Sequence, residues 1–140
     1  GSQSIAALGV VAHEIGHAIQ HAKNYTPIVI RNAIAPVASF SSNLAWIFFI
    51  IGIFTGALGL AKFGIFLFLI VVLFSLITLP VEFDASRRAL KILSSNLMMP
   101  NDELKGVKAV LSAAAMTYVA ATLMAILQLL RMILIARSRD

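Results

Sequence analysis

Gly64-Ile65-Phe66-Leu67-Phe68-Leu69-Ile70-Val71-Val72-Leu73-Phe74-Ser75-Leu76-Ile77-Thr78-Leu79-Pro80 carries no charge and is built almost wholly from Phe, Leu, Ile and Val. Such a run reads as a helix that crosses the hydrocarbon of a bilayer and stops at its proline. A second run precedes it. No charge falls between Arg31 and Lys62, and Asn43 to Ala61 holds Leu44, Trp46, Ile47, Phe48, Phe49, Ile50, Ile51 and Phe54. Lys62 between the two runs then marks the tip of a tight hairpin. Ile28 to Ser42, milder and interrupted by Pro36, reads as an interfacial helix or as the start of the first span.

A third run, Ala109 to Leu130, is again uncharged, and Ala113, Ala114, Ala115, Ala120 and Ala121 offer small surfaces for close packing between membrane helices. Gln128 and Arg131 near its end are costly in lipid and should face protein, water or headgroups. Between the second and third runs lies a polar helix with Glu82, Asp84, Arg87, Arg88 and Lys91, ending in Ser94-Ser95-Asn96. Pro100-Asn101-Asp102-Glu103 suits the first turn of the next helix.

Composition agrees with these runs. The 140 residues are 60% hydrophobic and 12% charged, with a mean hydropathy of +0.95, and a chain of this size cannot bury so much apolar surface in one water-soluble core. The expected fold is an all-α integral membrane bundle forming one domain, with a lipid bilayer as its first partner. The net charge of +5 comes from basic residues at the edges of apolar runs, so membrane topology explains it and nucleic acid does not. Absence of cysteine excludes disulfides, cysteine catalysis and thiolate metal sites. The opening Gly1-Ser2 looks like a cloning remnant, which leads us to expect that an N-terminal part is missing.

The chemistry is concentrated in Ala12-His13-Glu14-Ile15-Gly16-His17. Histidines four apart lie one turn over the other on a helix face, so both rings can reach one metal ion, and the adjacent glutamate can accept a proton from water that the metal acidifies. This is the H-E-x-x-H pattern of a zinc metallopeptidase. The context favours a site over a chance surface pattern. Ile5, Leu8, Ala12, Ile15 and Ile19 recur as one apolar stripe beside the histidines, and Gly9 and Gly16 lie within the same helix from Ser4 to Lys23. A glycine inside a helix costs about 0.5–1 kcal/mol relative to alanine, so close approach of another backbone or of a substrate is the expected reason for them.

Two histidines and water leave zinc one ligand short, and the remaining donors are few. His21 sits about 12 Å along the helix axis from His13 and reads as a solvated helix end or a group near the site. Asp102, Glu103 and Asp140 have solvated settings. Glu82 directly follows a span, where a carboxylate reads equally well as an interfacial residue. If both earlier runs cross the membrane, however, the chain returns to the side it left, and Glu82 reaches the face of His13 and His17. Ala85, Ser86 and Ala89 share its helix face and are small enough for close packing.

The run from Ser4 to Ala22, together with Leu79-Pro80-Val81-Glu82-Phe83-Asp84-Ala85-Ser86-Arg87-Arg88-Ala89, resembles the bacterial neutral zinc metallopeptidases of the YugP type. It is more distantly similar to the HtpX-like and CAAX prenyl membrane proteases, which are gluzincins. The resemblance implies zinc as cofactor, with Glu82 as third ligand beside His13 and His17 and Glu14 as catalytic base. Ser86 stands where those proteases have an aspartate, so Ser86 or Asp84 takes over the contact to a zinc histidine. Candidates for oxyanion stabilisation are Arg87, Arg88, His21 and Tyr118.

The expected function is a zinc endopeptidase cleaving membrane or membrane-adjacent polypeptides. The alternative is a non-catalytic helical membrane scaffold or partner-binding protein with structural zinc or none; an oligomer or a partner subunit is compatible with either. Lys23, Arg31, Arg87, Arg88, Lys91, Lys105 and Lys108 on the motif's side against Lys62 at the hairpin tip place the site at the cytoplasmic face of a multi-pass protein. Arg137 and Arg139, beyond the third run, weigh against that count if the run crosses once.

Overall fold

The computed structural model describes residues 2–95 and 99–139. Among them every regular element is an α-helix: α1 (Ser2–Ala22), α2 (Thr26–Thr55), α3 (Leu58–Ser95) and α4 (Asn101–Ser138). The three last are long and apolar enough to cross a membrane, so the all-α bundle with a hairpin and a third apolar helix forms as expected. Asn96 and Asp140 lie outside the described residues.

The turns follow from local backbone chemistry. Asn24 takes a left-handed conformation, φ 53°, while the amide of Tyr25 donates to the Gln20 carbonyl at 2.9 Å and that of Asn24 to His21 at 3.2 Å. This is a Schellman closure of α1. Pro27 then falls in the first turn of α2, where a missing N–H costs nothing.

Two boundaries differ from the sequence expectation. The α2–α3 reversal is at Gly56-Ala57 and not at Lys62. Gly56 has φ +76°, a conformation that glycine supplies without a Cβ clash, whereas Lys62 is an exposed residue inside α3. Pro80 does not end its helix, for α3 continues to Ser95. The proline forfeits one backbone hydrogen bond, and its exposed ring meets no core packing. Of the two readings of Ile28 to Ser42, the start of the first span is the one that forms, since α2 runs unbroken past Pro36.

Residues Gly1–Val29 and Thr78–Val119 cluster into one compact unit, and Ile30–Ile77 with Ala120–Asp140 into another. In the first, Ala12, Ala89, Leu93, Val107 and Leu111 form the core, with Ile5, Leu8, Leu90 and Leu104 against it. Each fully buried aliphatic side chain is worth about 1.5–3 kcal/mol over exposure to water. Leu93 and Val107 therefore pin α3 and α4 within this unit. Ile15, expected on the buried stripe, is 43% exposed, because α3 packs on the neighbouring face through Ala12 and Gly16.

In the second unit, Ala45, Phe49, Ala61, Phe68, Val72, Met132 and Ala136 form the core. Trp46 packs edge-on to Phe49 and Phe68, each at 6.0 Å. Helices α2 and α3 touch through their backbones here: a Cβ on Gly64 would come within 2.6 Å of the Ala45 carbonyl oxygen. Of the five alanines expected to pack α4, only Ala115 is buried. The α4 surface is instead dominated by exposed Leu and Met, as suits lipid contact. Lys62 and Arg137 line one crevice of this unit, so Arg137 lies with Lys62, as the single crossing that weighs against the charge count requires.

Candidate active site

All of the site described here lies in the first unit. His13 and His17 sit one helical turn apart on α1, with ring centroids 4.6 Å apart and planes at 87°. Glu82 comes to them from α3, 3% exposed. Its Oε2 is 2.7 Å from His13 Nε2 and 3.4 Å from His17 Nε2. What permits this approach is Gly16, where an added Cβ would run into the Ala85 carbonyl. Gly9 serves no such purpose, since a Cβ there meets only valine methyls at 3.7 Å.

Hydrogen bonds fix the histidine rings from behind. Gln20 is fully buried, and its amide nitrogen donates to the Val81 carbonyl and to Asp84 Oδ2, both at 2.9 Å. Because both partners are pure acceptors, the other end of the amide is its oxygen, and that oxygen accepts from His17 Nδ1 at 2.9 Å. His17 therefore carries a hydrogen on Nδ1 and turns Nε2 toward Glu82. On His13, Nδ1 is paired with Ser86 Oγ at 3.1 Å, again leaving Nε2 for Glu82.

This arrangement tests whether the residues suit zinc. When neutral, His17 presents a lone pair on Nε2 to a carboxylate, and two acceptors aimed at one point require a shared proton or a cation. The donor atoms of His13, His17 and Glu82 all lie within 4.8 Å of one another. Two imidazole nitrogens, held by Ser86 and Gln20, and one carboxylate oxygen are a donor set that zinc accepts. The hydrogen bond to Glu82 raises the His17 pKa above 6.5, the direction expected of an imidazole nitrogen that faces a carboxylate.

The other candidates separate cleanly. Glu14 does not join the donor group; it lines a cavity of about 140 Å³ together with His13, Glu82, Ser86 and Tyr118. Asp84 reaches the site only through Gln20, and it is held by Arg88 Nε at 2.6 Å. Arg88 also stacks over Tyr25, 5.4 Å from the ring centroid. Arg87 is largely exposed and lies 3.8 Å from Asp84. Both arginines are thus turned toward Asp84, and of the four oxyanion candidates only Tyr118 borders the cavity. His21 is exposed and outside the donor group.

Gln20 is the functional residue that sequence reasoning missed. Its signal was its spacing: three residues after His17, it lies one turn along the same helix face.

Residues 1–137 match the family described as "Putative neutral zinc metallopeptidase". The chain belongs to this family. A Bacillus subtilis (strain 168) relative, described as "Putative membrane protease YugP", is 49% identical over 133 residues, or 95% of this chain and 59% of the relative. The chain thus spans somewhat over half of that relative's length. No solved structure matches. Within the zinc metallopeptidase family, the His13, His17 and Glu82 cluster is where this chain could hold its metal.

Proposed function

We propose that this chain is a metallopeptidase domain of a multi-pass membrane protein, hydrolysing peptide bonds in membrane or membrane-adjacent polypeptides. One observation carries the reading: His13 and Glu82 of the three-donor group border the same cavity as the Glu14 carboxylate of the H-E-x-x-H motif. Family membership and the relative's description as a membrane protease support it.

Zinc held by His13, His17 and Glu82 would supply a Lewis acid for the scissile carbonyl and lower the pKa of attacking water. Glu14 accepts the proton of that water and passes it to the leaving amine. Ser86 and Gln20 keep His13 and His17 oriented, and Tyr118, the one of the four oxyanion candidates that lines the cavity, is assigned to the developing oxyanion. A structural zinc site is closed by four protein ligands. Three converge among the described residues, which favours catalysis over the scaffold reading.

Charge supports a cytoplasmic site. Lys23, Arg87, Arg88, Lys91, Lys105 and Lys108 all belong to the unit that holds the site, and such a basic flank favours the cytoplasmic side.

The test is Glu14→Gln. It should keep bound zinc and lose about 10²- to 10⁴-fold in hydrolysis of an unfolded protein substrate; undiminished turnover would overturn the mechanism.

A further inference from the structure

Away from the metal site, one open cavity of the first unit is lined by cations. Ile19 and Lys23, from the last turn of α1 and just beyond it, border a space of about 380 Å³ together with Arg88, Lys91, Ile92 and Ser95 from the last turns of α3. Among the described residues no carboxylate lines it. We propose that this cavity binds the phosphate of an anionic phospholipid headgroup, with Lys23, Arg88 and Lys91 as its cationic contacts. The inference goes beyond the hydrolytic reading and needs only the membrane location that the apolar helices support.

Charge argues for a phosphate. The helix macrodipole favours a base at the C-terminal end of α1 or of α3 and accounts for each of these residues singly. It does not bring three of them to one cavity. Among the described residues neither Lys23 nor Lys91 pairs with a carboxylate. Arg88 donates its Nε to Asp84, which uses one of the five N–H donors of a guanidinium, and stacking over Tyr25 holds the group in place. Two ammonium groups and a fixed guanidinium suit the oxygens of one phosphate.

Depth argues for a lipid as the source of that phosphate. Phe83 is the last exposed large apolar residue of α3 among those described. From it Arg88 lies about 8 Å and Lys91 about 12 Å further along the helix axis, in the zone where headgroups project beyond the hydrocarbon and to which lysine and arginine stems reach back. Ile19 and Ile92 add aliphatic surface for the glycerol and first methylenes of such a lipid. Basic pockets between membrane helices take anionic headgroups by this combination of charge and depth.

The test titrates the chain, solubilised in a non-ionic detergent, with dioctanoyl phosphatidylglycerol, dioctanoyl phosphatidylcholine and inorganic phosphate, and reads affinity by calorimetry. Phosphatidylglycerol should bind at one site about tenfold or more tighter than either the choline lipid with the same chains or inorganic phosphate. Lys23 and Lys91 are exposed, so the double variant Lys23→Gln, Lys91→Gln poses little threat to the fold and should lose about tenfold or more in that affinity. Lys105→Gln with Lys108→Gln removes the same charge outside the cavity and should keep the wild-type value. Arg88 is left in place because it also holds Asp84, which bonds Gln20 behind His17. Equal affinity for the two lipids, or equal losses in the two double variants, overturns the site and leaves a diffuse basic flank. Inorganic phosphate binding as tightly as phosphatidylglycerol overturns the lipid assignment. Thermal protection of the wild-type chain by phosphatidylglycerol and not by phosphatidylcholine supports the proposal without any variant, and equal protection by both overturns it.

Discussion

Gly16 of α1 and Ala85 of α3 are in backbone contact: a Cβ at Gly16 would strike the Ala85 carbonyl and come within 3.0 Å of its carbon. One turn along α3 lies Glu82, so this contact sets the distance between Glu82 and the two histidines. Gly16→Ala should force the helices apart, cost about 1–3 kcal/mol of stability and weaken zinc binding at least tenfold. Gly9→Ala should bind zinc normally and gain about 0.5–1 kcal/mol of helix stability. Calorimetric zinc titration and thermal unfolding of the two variants check this; equal behaviour would remove Gly16 from its role.

Gln20 should matter to the metal without touching it. Gln20→Leu removes the acceptor that holds the hydrogen on His17 Nδ1, and loss of such an orienting partner typically costs 10- to 100-fold in metal affinity. Nitrogen NMR of the imidazoles should show His17 no longer fixed in one tautomer. Unchanged affinity and tautomer would make Gln20 a packing residue only.

The pH dependence has opposite signs with and without zinc. His17 titrates above 6.5, chiefly through its hydrogen bond to Glu82. A raised folded-state pKa stabilises the metal-free protein fully below the unfolded value, and that contribution is lost as pH rises through the folded one. Zinc must displace the same proton, so its affinity should increase with pH over that window, by up to about tenfold per unit for one proton. Zinc titrations and melting curves from pH 5.5 to 8.5 read both signs; an affinity flat across that range would contradict the assignment of His17 as a ligand.

Much of the site was legible because its chemistry is periodic or forced. The spacing of His13 and His17 places them on one helix face, and the return of the apolar hairpin brought Glu82 into consideration. Boundaries were less legible. A charge at Lys62 suggested a tip, yet the chain reverses where glycine can take a positive φ, and a proline in a long, packed apolar helix costs too little to stop α3 at Pro80. Gln20 gave only its spacing from His17, because the role of a glutamine shows through its partners on another helix, here Val81 and Asp84. Gly9 and Gly16 looked alike in sequence, and only the neighbouring helix tells them apart.

Zinc content and affinity of Glu82→Gln, measured beside wild type and His21→Ala, test the central claim most directly. The account predicts one zinc per chain in wild type and in His21→Ala with similar affinity, because His21 is exposed and apart from the donor group. Glu82→Gln should lose most of its zinc, since the carboxylate facing both Nε2 atoms is gone. Full zinc binding by Glu82→Gln, or its loss in His21→Ala, would contradict the ligand set.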